Sequence, residues 1–135
     1  MTSSIRILIV DDYAPWRKSL RAILRNHPES VVLGEAEDGL EAVQKAGELL
    51  PNLILLDIGL PQLDGLQAAK QILEITPGMA IVFVTLNNDP IVIDAALSDG
   101  AKGYVLKLDA IKELWPAIES VLQGKRFVSS GVAAG

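Results

Sequence analysis

The sequence predicts an α/β fold in which five strands of a parallel sheet alternate with five helices. The predicted strands are short runs rich in Val, Ile and Leu, most of them apolar at every position, which is typical of strands covered on both faces. The segments between these runs carry apolar residues at helical spacing, and such regular alternation is typical of a parallel sheet. The predicted strands are residues 5–10, 31–36, 53–56, 80–85 and 103–107.

Length, composition and charge limit the possible functions. The chain has 135 residues, 50% of them hydrophobic, which fits one domain with a substantial core. It contains no cysteine, which excludes disulfides and thiolate metal sites. Its net charge of −5 argues against nucleic-acid binding by this segment. Because no segment resembles a signal peptide or a membrane span, we expect a cytoplasmic domain without a membrane partner.

The first strand and helix are marked by an acidic pair and a proline. Asp11 and Asp12 directly follow the first apolar run. Pro15 then stands where the first turn of a helix tolerates proline. Trp16 lies in this first turn, close to the acidic pair, and plain packing is its default interpretation. The helical pattern continues to Leu24.

In the second and third strand–helix units, aspartate and glycine residues likewise mark the helix starts and a strand end. Asp38 is a predicted N-cap for the second helix. The third apolar run ends at Asp57, and the Asp64-Gly65 pair, to which we assign loop geometry, precedes the third helix. Only the second strand lacks a polar residue at its end.

The fourth and fifth predicted strands end in polar residues, Thr85 with a hydroxyl and Lys107 with an ammonium. Proline, glycine and aspartate mark the helix boundaries here. The predicted positions are Pro90 in a first turn, Asp109 as an N-cap, and Gly100 and Gly124 at C-terminal ends. Pro116 falls inside the last helical pattern, and we therefore expect a kink or a late helix start between residues 114 and 116.

The polar residues at the strand ends predict one functional site. In open α/β folds, ligands bind outside the carboxyl ends of the parallel strands. Carboxylates suit a divalent cation such as Mg²⁺, and lysine supplies a point charge for phosphate. The sequence therefore predicts a cation and phosphoryl site at one edge of the sheet.

These runs, in their order and spacing, resemble the response-regulator receiver domain. The resemblance rests on Ile-Leu-Ile-Val-Asp11-Asp12, Leu-Ile-Leu-Leu-Asp57-Ile-Gly-Leu-Pro61, Val-Phe-Val-Thr85 and Gly-Tyr-Val-Leu-Lys107. It implies a flavodoxin-like doubly wound (βα)5 sandwich with a five-stranded parallel sheet in the order 2-1-3-4-5. The Asp-Gly pair before the second helix, Gly-Ala-Lys-Gly-Tyr before Lys107, and Leu-Gln-Gly-Lys-Arg-Phe resemble the LuxR/NarL-type DNA-binding regulators in particular.

The resemblance implies a phosphoacceptor and a Mg²⁺ site. Asp57 would be the nucleophile that accepts a phosphoryl group from a phosphohistidine. Asp12 would ligate Mg²⁺ directly and Asp11 largely through water, with Asp57 and the backbone carbonyl of Gly59 completing the protein ligands. Taken alone, an aspartate such as Asp57 more often opens a turn, and two adjacent acids are usually a solvated turn.

The resemblance also implies a switch. Thr85 and Lys107 would bind phosphoryl oxygens, and Thr85 would move inward after phosphorylation. Tyr104 would then follow it inward and alter the surface formed by the fourth helix, fifth strand and fifth helix. Static packing of Tyr104 is an equally common fate. Asn87 stands at a position that tends to tune dephosphorylation.

The implied partners are a sensor histidine kinase and a second copy of the chain, bound through that same surface. We expect a receiver domain over residues 1–124 and the start of a linker over 125–135. DNA would be bound only through a further C-terminal domain. Such a module catalyses its own phosphorylation and dephosphorylation but has no metabolic substrate.

Two other functions stay open at this point. One is a receiver-like interaction domain without phosphate control. The other is a phosphatase of the haloacid-dehalogenase type, which has a second aspartate at the position occupied here by Gly59.

The sequence departs from the receiver pattern at Leu108. Many receivers have a proline at this position, often after a cis peptide bond. The bond before Leu108 is therefore either trans or held in a strained form by packing.

Overall fold

A computed structural model describes residues 4–132 as a six-stranded sheet with helices on both faces. All neighbouring strands are parallel, and their order is β2-β1-β3-β4-β5-β6. The strands are β1 (Ile5–Val10), β2 (Ser30–Ala36), β3 (Leu53–Leu56), β4 (Ala80–Thr85), β5 (Gly103–Leu106) and β6 (Phe127–Val128). The helices are α1 (Ala14–Leu24), α2 (Gly39–Leu49), α3 (Gly65–Ile75), α4 (Pro90–Ser98) and α5 (Ala110–Leu122). The predicted fold and the order of its five strands are confirmed.

Two apolar cores lie on the two faces of the sheet. Alternate residues of β1 serve each core: Leu8 and Val10 pack with α2, α3 and α4, whereas Ile7 and Ile9 pack with α1 and α5. Because both faces are covered, the central strands must be apolar at every position, which explains their unbroken runs. No helix within residues 4–132 is long and apolar enough to cross a bilayer.

Most of the predicted helix punctuation is confirmed. Asp38 accepts a hydrogen bond from the backbone N of Glu41 at 2.8 Å, as an N-cap does. Gly100 and Gly124 end their helices with positive φ angles of 114° and 83°. Asp109 occupies the N-cap position of α5 as predicted, but its side chain makes no capping hydrogen bond, and a 3-10 turn over Lys107–Asp109 leads into the helix. The structure has no cis peptide within residues 4–132, so the bond before Leu108 is trans.

The expected late start of the last helix is wrong. Helix α5 begins at Ala110 and continues through Pro116 to Leu122. Pro116 is exposed, whereas Leu114 and Ala117 beside it are buried against the sheet. Burial of this apolar face outweighs the loss of one backbone hydrogen bond. The expected kink stays a prediction.

The segment after α5 adds a strand that the sequence analysis did not predict. Phe127 donates its backbone N–H to Lys102 O at 3.0 Å, and Ser129 donates to Tyr104 O at 2.8 Å. The buried Ser129 hydroxyl accepts from Leu106 N and donates to Asp109 Oδ2. A strand of two residues is too short to show any periodicity, which is why the sequence analysis missed it. The domain boundary at residue 124 stays a prediction.

Candidate functional site

Asp11 and Asp57, which directly follow β1 and β3, are held by backbone hydrogen bonds to the neighbouring strands. Asp57 N donates to Val10 O at 3.1 Å, and Asp11 N donates to Ala36 O at 3.1 Å. Both aspartates therefore extend the sheet register by one residue beyond β1 and β3. This places the two side chains at the same carboxyl edge, as the strand ends predicted.

Three carboxylates converge there. Asp11, Asp12 and Asp57 each have a carboxylate oxygen within 4.8 Å of the others. Asp11 and Asp57 are buried, and Asp12 is exposed. Oxygen ligands at this spacing are those that a hard divalent cation takes.

Lys107 is the cation that contacts this acidic cluster of Asp11, Asp12 and Asp57. Its Nζ lies 2.8 Å from Asp11 Oδ2 and 3.2 Å from Asp57 Oδ2. The same Nζ lies 5.4 Å from the centre of the Trp16 ring, which is within range of a cation–π contact and places Trp16 beside the acidic cluster. Within residues 4–132, Lys107 therefore pairs with two of the three carboxylates.

The electrostatics of the cluster leave room for a further cation. Burial raises the pKa of Asp11, and the contacts with Lys107 and with the backbone N of Tyr13 only partly oppose it. Asp11 Oδ2 is buried and pairs with Lys107 Nζ at 2.8 Å. Burial disfavours the charge of Lys107, but Asp11 and Asp57 outweigh it and raise its pKa. Three carboxylates that a lysine only partly neutralises form a set of oxygen ligands that fits a divalent cation.

A pocket of about 280 Å³ opens beside Asp57. It is lined by Asp57, Gly59, Thr85, Asn87 and Lys107, among others. Thr85 Oγ1 accepts a hydrogen bond from Asn87 N at 3.3 Å, and Asp57 Oδ1 accepts one from Ile58 N at 2.7 Å. Asp57 Oδ2 thus faces Lys107, in a pocket that also presents a hydroxyl and backbone groups.

The Asp64-Gly65 pair begins α3 directly against the backbone of Asp57. Asp64 caps α3 by accepting from Gln67 N at 2.9 Å. A Cβ built at Gly65 would lie 2.0 Å from the backbone oxygen of Asp57, so only glycine allows α3 to begin here. The pair therefore sets the loop geometry behind the phosphoacceptor candidate, in keeping with its sequence interpretation.

Tyr104 already lies inside the protein. It is fully buried, and its hydroxyl donates to Asn87 O at 2.7 Å. Burial, together with the negative charges of Asp57 and Asp89, raises the pKa of Tyr104 to about 12. The structure thus holds the inward position that the sequence analysis expected after phosphorylation, and the movement itself stays a prediction.

One charged residue beside the site escaped the sequence analysis. Arg17 is 9% exposed and donates from Nη1 to the backbone oxygen of Asp11 at 2.7 Å. Its position three residues before Leu20 and seven before Leu24 puts it on the buried face of α1. A cation at an apolar helical position was the signal that could have found it.

Comparisons with known proteins agree with this geometry. The family model of the response regulator receiver domain matches residues 7–119. The transcriptional regulatory protein YdfI of Bacillus subtilis is 36% identical over 119 residues, covering 88% of this chain and 55% of YdfI. The chain thus spans just over half of that relative.

Solved structures are similar over nearly the whole chain. A LuxR-family two-component response regulator from Aurantimonas sp. has a TM-score of 0.92 at 32% identity, covering 97% of this chain and 94% of the other. The isolated REC domain of RcsB from Salmonella enterica, solved in the presence of the phosphomimetic BeF3⁻, has a TM-score of 0.90 at 27% identity, covering 97% of each chain. These relatives include LuxR/NarL-type regulators, as the finer sequence motifs indicated.

Proposed function

We propose, since this chain belongs to the family of response regulator receiver domains, that it receives a phosphoryl group on Asp57 and relays that event to a partner surface. The observation that carries the proposal is the placement of Lys107 Nζ within 3.2 Å of Asp57 and 2.8 Å of Asp11, beside three clustered carboxylates. Phosphoryl transfer depends mainly on positioning and charge stabilisation, and this arrangement supplies both.

In the proposed reaction, Asp57 attacks the phosphorus of a phosphohistidine on a sensor kinase. The bond from Asp57 oxygen to phosphorus forms as the phosphorus–nitrogen bond breaks, and the imidazole leaves with the electron pair. Lys107, already beside Asp57 Oδ2, pairs with one phosphoryl oxygen. The Thr85 hydroxyl, which lines the same pocket, donates to another.

The acidic cluster, with the backbone carbonyl of Gly59, is the proposed Mg²⁺ site. Bound Mg²⁺ would supply positive charge that offsets the acids and the incoming phosphoryl oxygens. Asp12, the exposed member, is open to solvent and to a hydrated ion. Asp11 contributes a buried carboxylate, one oxygen of which also contacts Lys107 Nζ.

Mass spectrometry of the intact chain after incubation with acetyl phosphate and Mg²⁺ tests this proposal. We expect addition of one phosphoryl group, loss of labelling when EDTA removes the metal, and no labelling of Asp57→Asn. Asp38→Asn is the matched control, because asparagine can still cap α2 and the site is untouched. An unchanged mass of the wild-type chain, or labelling of Asp57→Asn, would overturn the proposal.

The proposed output is dimerisation through the face of α4, β5 and α5. Tyr104 lies on β5 and is tied by its hydroxyl to Asn87 O, in the loop before α4, so it joins the phosphorylation pocket to that face. We propose that transcriptional control and DNA binding run through a further domain, and that the protein acts in the cytoplasm with its kinase. Sedimentation with and without beryllofluoride and Mg²⁺ tests the dimer; an unchanged molecular mass would contradict it.

The two alternative functions make different predictions. An interaction domain without phosphate control would fail to bind beryllofluoride in the presence of Mg²⁺. A haloacid-dehalogenase-type phosphatase would turn over small phosphomonoesters. We do not expect this activity, because Gly59 occupies the position where that family has its second aspartate.

A further inference from the structure

Arg17 joins three separate parts of the fold through one guanidinium group. Nη1 donates to the backbone oxygen of Asp11 at 2.7 Å, and Nε donates to Glu35 Oε1 at 2.6 Å. Nη2 lies 3.5 Å from Glu37 Oε1. The side chain thus connects α1 to the end of β1 and to β2, in a buried position where such bonds are shielded from water.

The backbone oxygen that Arg17 holds belongs to the peptide between Asp11 and Asp12. The direction of this peptide sets where the two neighbouring side chains point. A second restraint acts at the same turn, because Asp11 Oδ1 accepts from Tyr13 N at 2.8 Å. Together these two bonds fix the turn that carries two of the three clustered carboxylates.

The charge of Arg17 is largely neutralised by its partner. Glu35 accepts from both Arg17 and Arg21. Burial disfavours the charge of Glu35, but the contacts with Arg21 and Arg17 outweigh it and lower its pKa. Glu35 therefore stays ionised and anchors the guanidinium, so that Arg17 holds the backbone with little net positive charge to repel a cation.

We propose that Arg17 is a positioning residue for the acidic cluster: anchored by Glu35, it holds the Asp11 backbone oxygen so that Asp11 and Asp12 face Asp57 before a divalent cation binds. The inference rests on the proposed function, because the cation site that Arg17 would position is the proposed Mg²⁺ site for phosphoryl transfer. Groups that orient metal ligands without touching the metal commonly change metal affinity by about 10- to 100-fold when lost.

Arg21 provides a matched control. It is one turn further along α1 and contacts the same Glu35 through Oε2, but it donates no described hydrogen bond to Asp11. Replacing either arginine with lysine keeps the charge. At position 17, a single ammonium cannot reproduce the fork that spans Glu35 and the Asp11 oxygen. Arg17→Lys therefore removes the hold on the Asp11 backbone oxygen. Arg21→Lys changes only the contact with Glu35, which both arginines share.

Mg²⁺ titration of the two variants tests the proposal, with the fluorescence of Trp16 as the signal. All proteins carry Trp115→Phe, which leaves Trp16 as the sole tryptophan and retains a ring to stack on His27. We expect Arg17→Lys to weaken Mg²⁺ binding about tenfold and Arg21→Lys to change it less than about twofold. Equal affinities for Arg17→Lys and the parent, or an equal loss in Arg21→Lys, would overturn the proposal.

A second readout needs no metal. Hydrogen exchange of the 11–16 segment in EDTA should be faster in Arg17→Lys than in Arg21→Lys, because only the former loosens the turn. Should Arg17→Lys fail to fold, Glu35→Gln takes its place: it removes the ionic anchor of Arg17, and we expect a smaller but measurable loss of Mg²⁺ affinity and faster exchange. Unchanged affinity and exchange in Glu35→Gln would overturn the proposal.

The two hypotheses fail in different ways. If the parent protein binds no Mg²⁺, the proposed function fails, while hydrogen exchange still decides whether Arg17 orders the turn. If the parent binds Mg²⁺ and both lysine variants bind it equally well, the proposed function stands and the role of Arg17 is rejected.

Discussion

Two charged clusters flank the end of β1, and they are built in opposite ways. Among the residues that the structure describes, the acidic cluster of Asp11, Asp12 and Asp57 has one ammonium for three carboxylates. The α1–β2 cluster, made of Arg17, Arg21, Glu35 and Glu37, has two guanidinium groups for two carboxylates. Burial acts on both, but only the second is neutralised by its own side chains.

The pKa values record this difference. The pKa of Asp11 is raised, chiefly by burial, so its charge costs free energy in the folded protein. The pKa of Glu35 is lowered despite burial, because two arginines contact it, so its charge stabilises the fold. Unfavourable buried charge is typical of a functional site that trades stability for binding. The α1–β2 cluster instead serves as a scaffold beside that site.

The largest effect is expected from removing the ammonium of Lys107, which contacts two members of the acidic cluster. Lys107→Met should lower the free energy of unfolding by about 3 kcal/mol without metal, because it leaves buried carboxylates without a partner. Urea denaturation measures this, and added Mg²⁺ should recover part of the loss. Lys102→Met, at an exposed position, is the control. Equal stability of the two variants would contradict the electrostatic interpretation of the acidic cluster.

The next largest effect tests the α1–β2 cluster. Glu35→Gln should lower the free energy of unfolding by about 2 kcal/mol, because it leaves Arg17 buried without a full ionic partner. Glu37→Gln is the matched control, since the Glu37 side chain is 70% exposed and should contribute less than about 0.5 kcal/mol. A comparable loss in both variants would show that burial does not distinguish the two glutamates.

The sequence predicted one of these clusters and missed the other, for a physical reason. Asp11, Asp57 and Lys107 each follow an apolar strand, and the edge of a parallel sheet brings strand ends together whatever the details of packing. Arg17 and Glu35 meet through side chains of a helix and an edge strand, and this contact depends on how α1 lies across β2. No local pattern encodes that angle. The family resemblance supplied the strand order, which apolar periodicity alone did not give.

The short strand β6 was missed for a related reason. Its two residues pair with Gly103 and Tyr104, and its position depends on Ser129 reaching Leu106 and Asp109. These contacts join residues about 20 apart in the chain, beyond the range of a turn or cap signal. Caps such as Asp38 need only a partner three residues away, and that is why they were predicted correctly.

A smaller effect of opposite sign is expected at Asp11. Asp11→Asn should raise the free energy of unfolding at neutral pH without metal, because it removes a buried charge whose pKa is raised while keeping an oxygen that accepts from Tyr13. Stabilising substitutions at functional sites commonly contribute about 1 kcal/mol. Thermal unfolding in EDTA measures the gain, and Mg²⁺ should stabilise the variant less than the wild type. Asp12→Asn, at an exposed position, should give a smaller gain. A destabilised Asp11→Asn would mean that the ion pair with Lys107 outweighs burial.

The smallest effects separate the two clusters by pH. The folded pKa of Asp11 is raised above its ordinary value of 3.8, so the penalty of its charge is absent below that pH, grows as pH rises and is complete above the folded pKa. The folded pKa of Glu35 is lowered from 4.5, so its contribution is complete above pH 4.5 and fades as pH falls through the folded value. On acidification from neutral pH, the gain of Asp11→Asn should therefore fade as pH falls through the folded pKa of Asp11 and be lost below 3.8. The cost of Glu35→Gln should begin to fade only below pH 4.5 and disappear as pH falls through the lowered folded pKa of Glu35. Urea denaturation of both variants and the wild type at stepped pH measures the two differences. A gain of Asp11→Asn that grows on acidification would mean that the Lys107 pair outweighs burial at Asp11. A cost of Glu35→Gln that grows on acidification would mean that burial outweighs the arginines at Glu35, and either result would remove the contrast between the clusters.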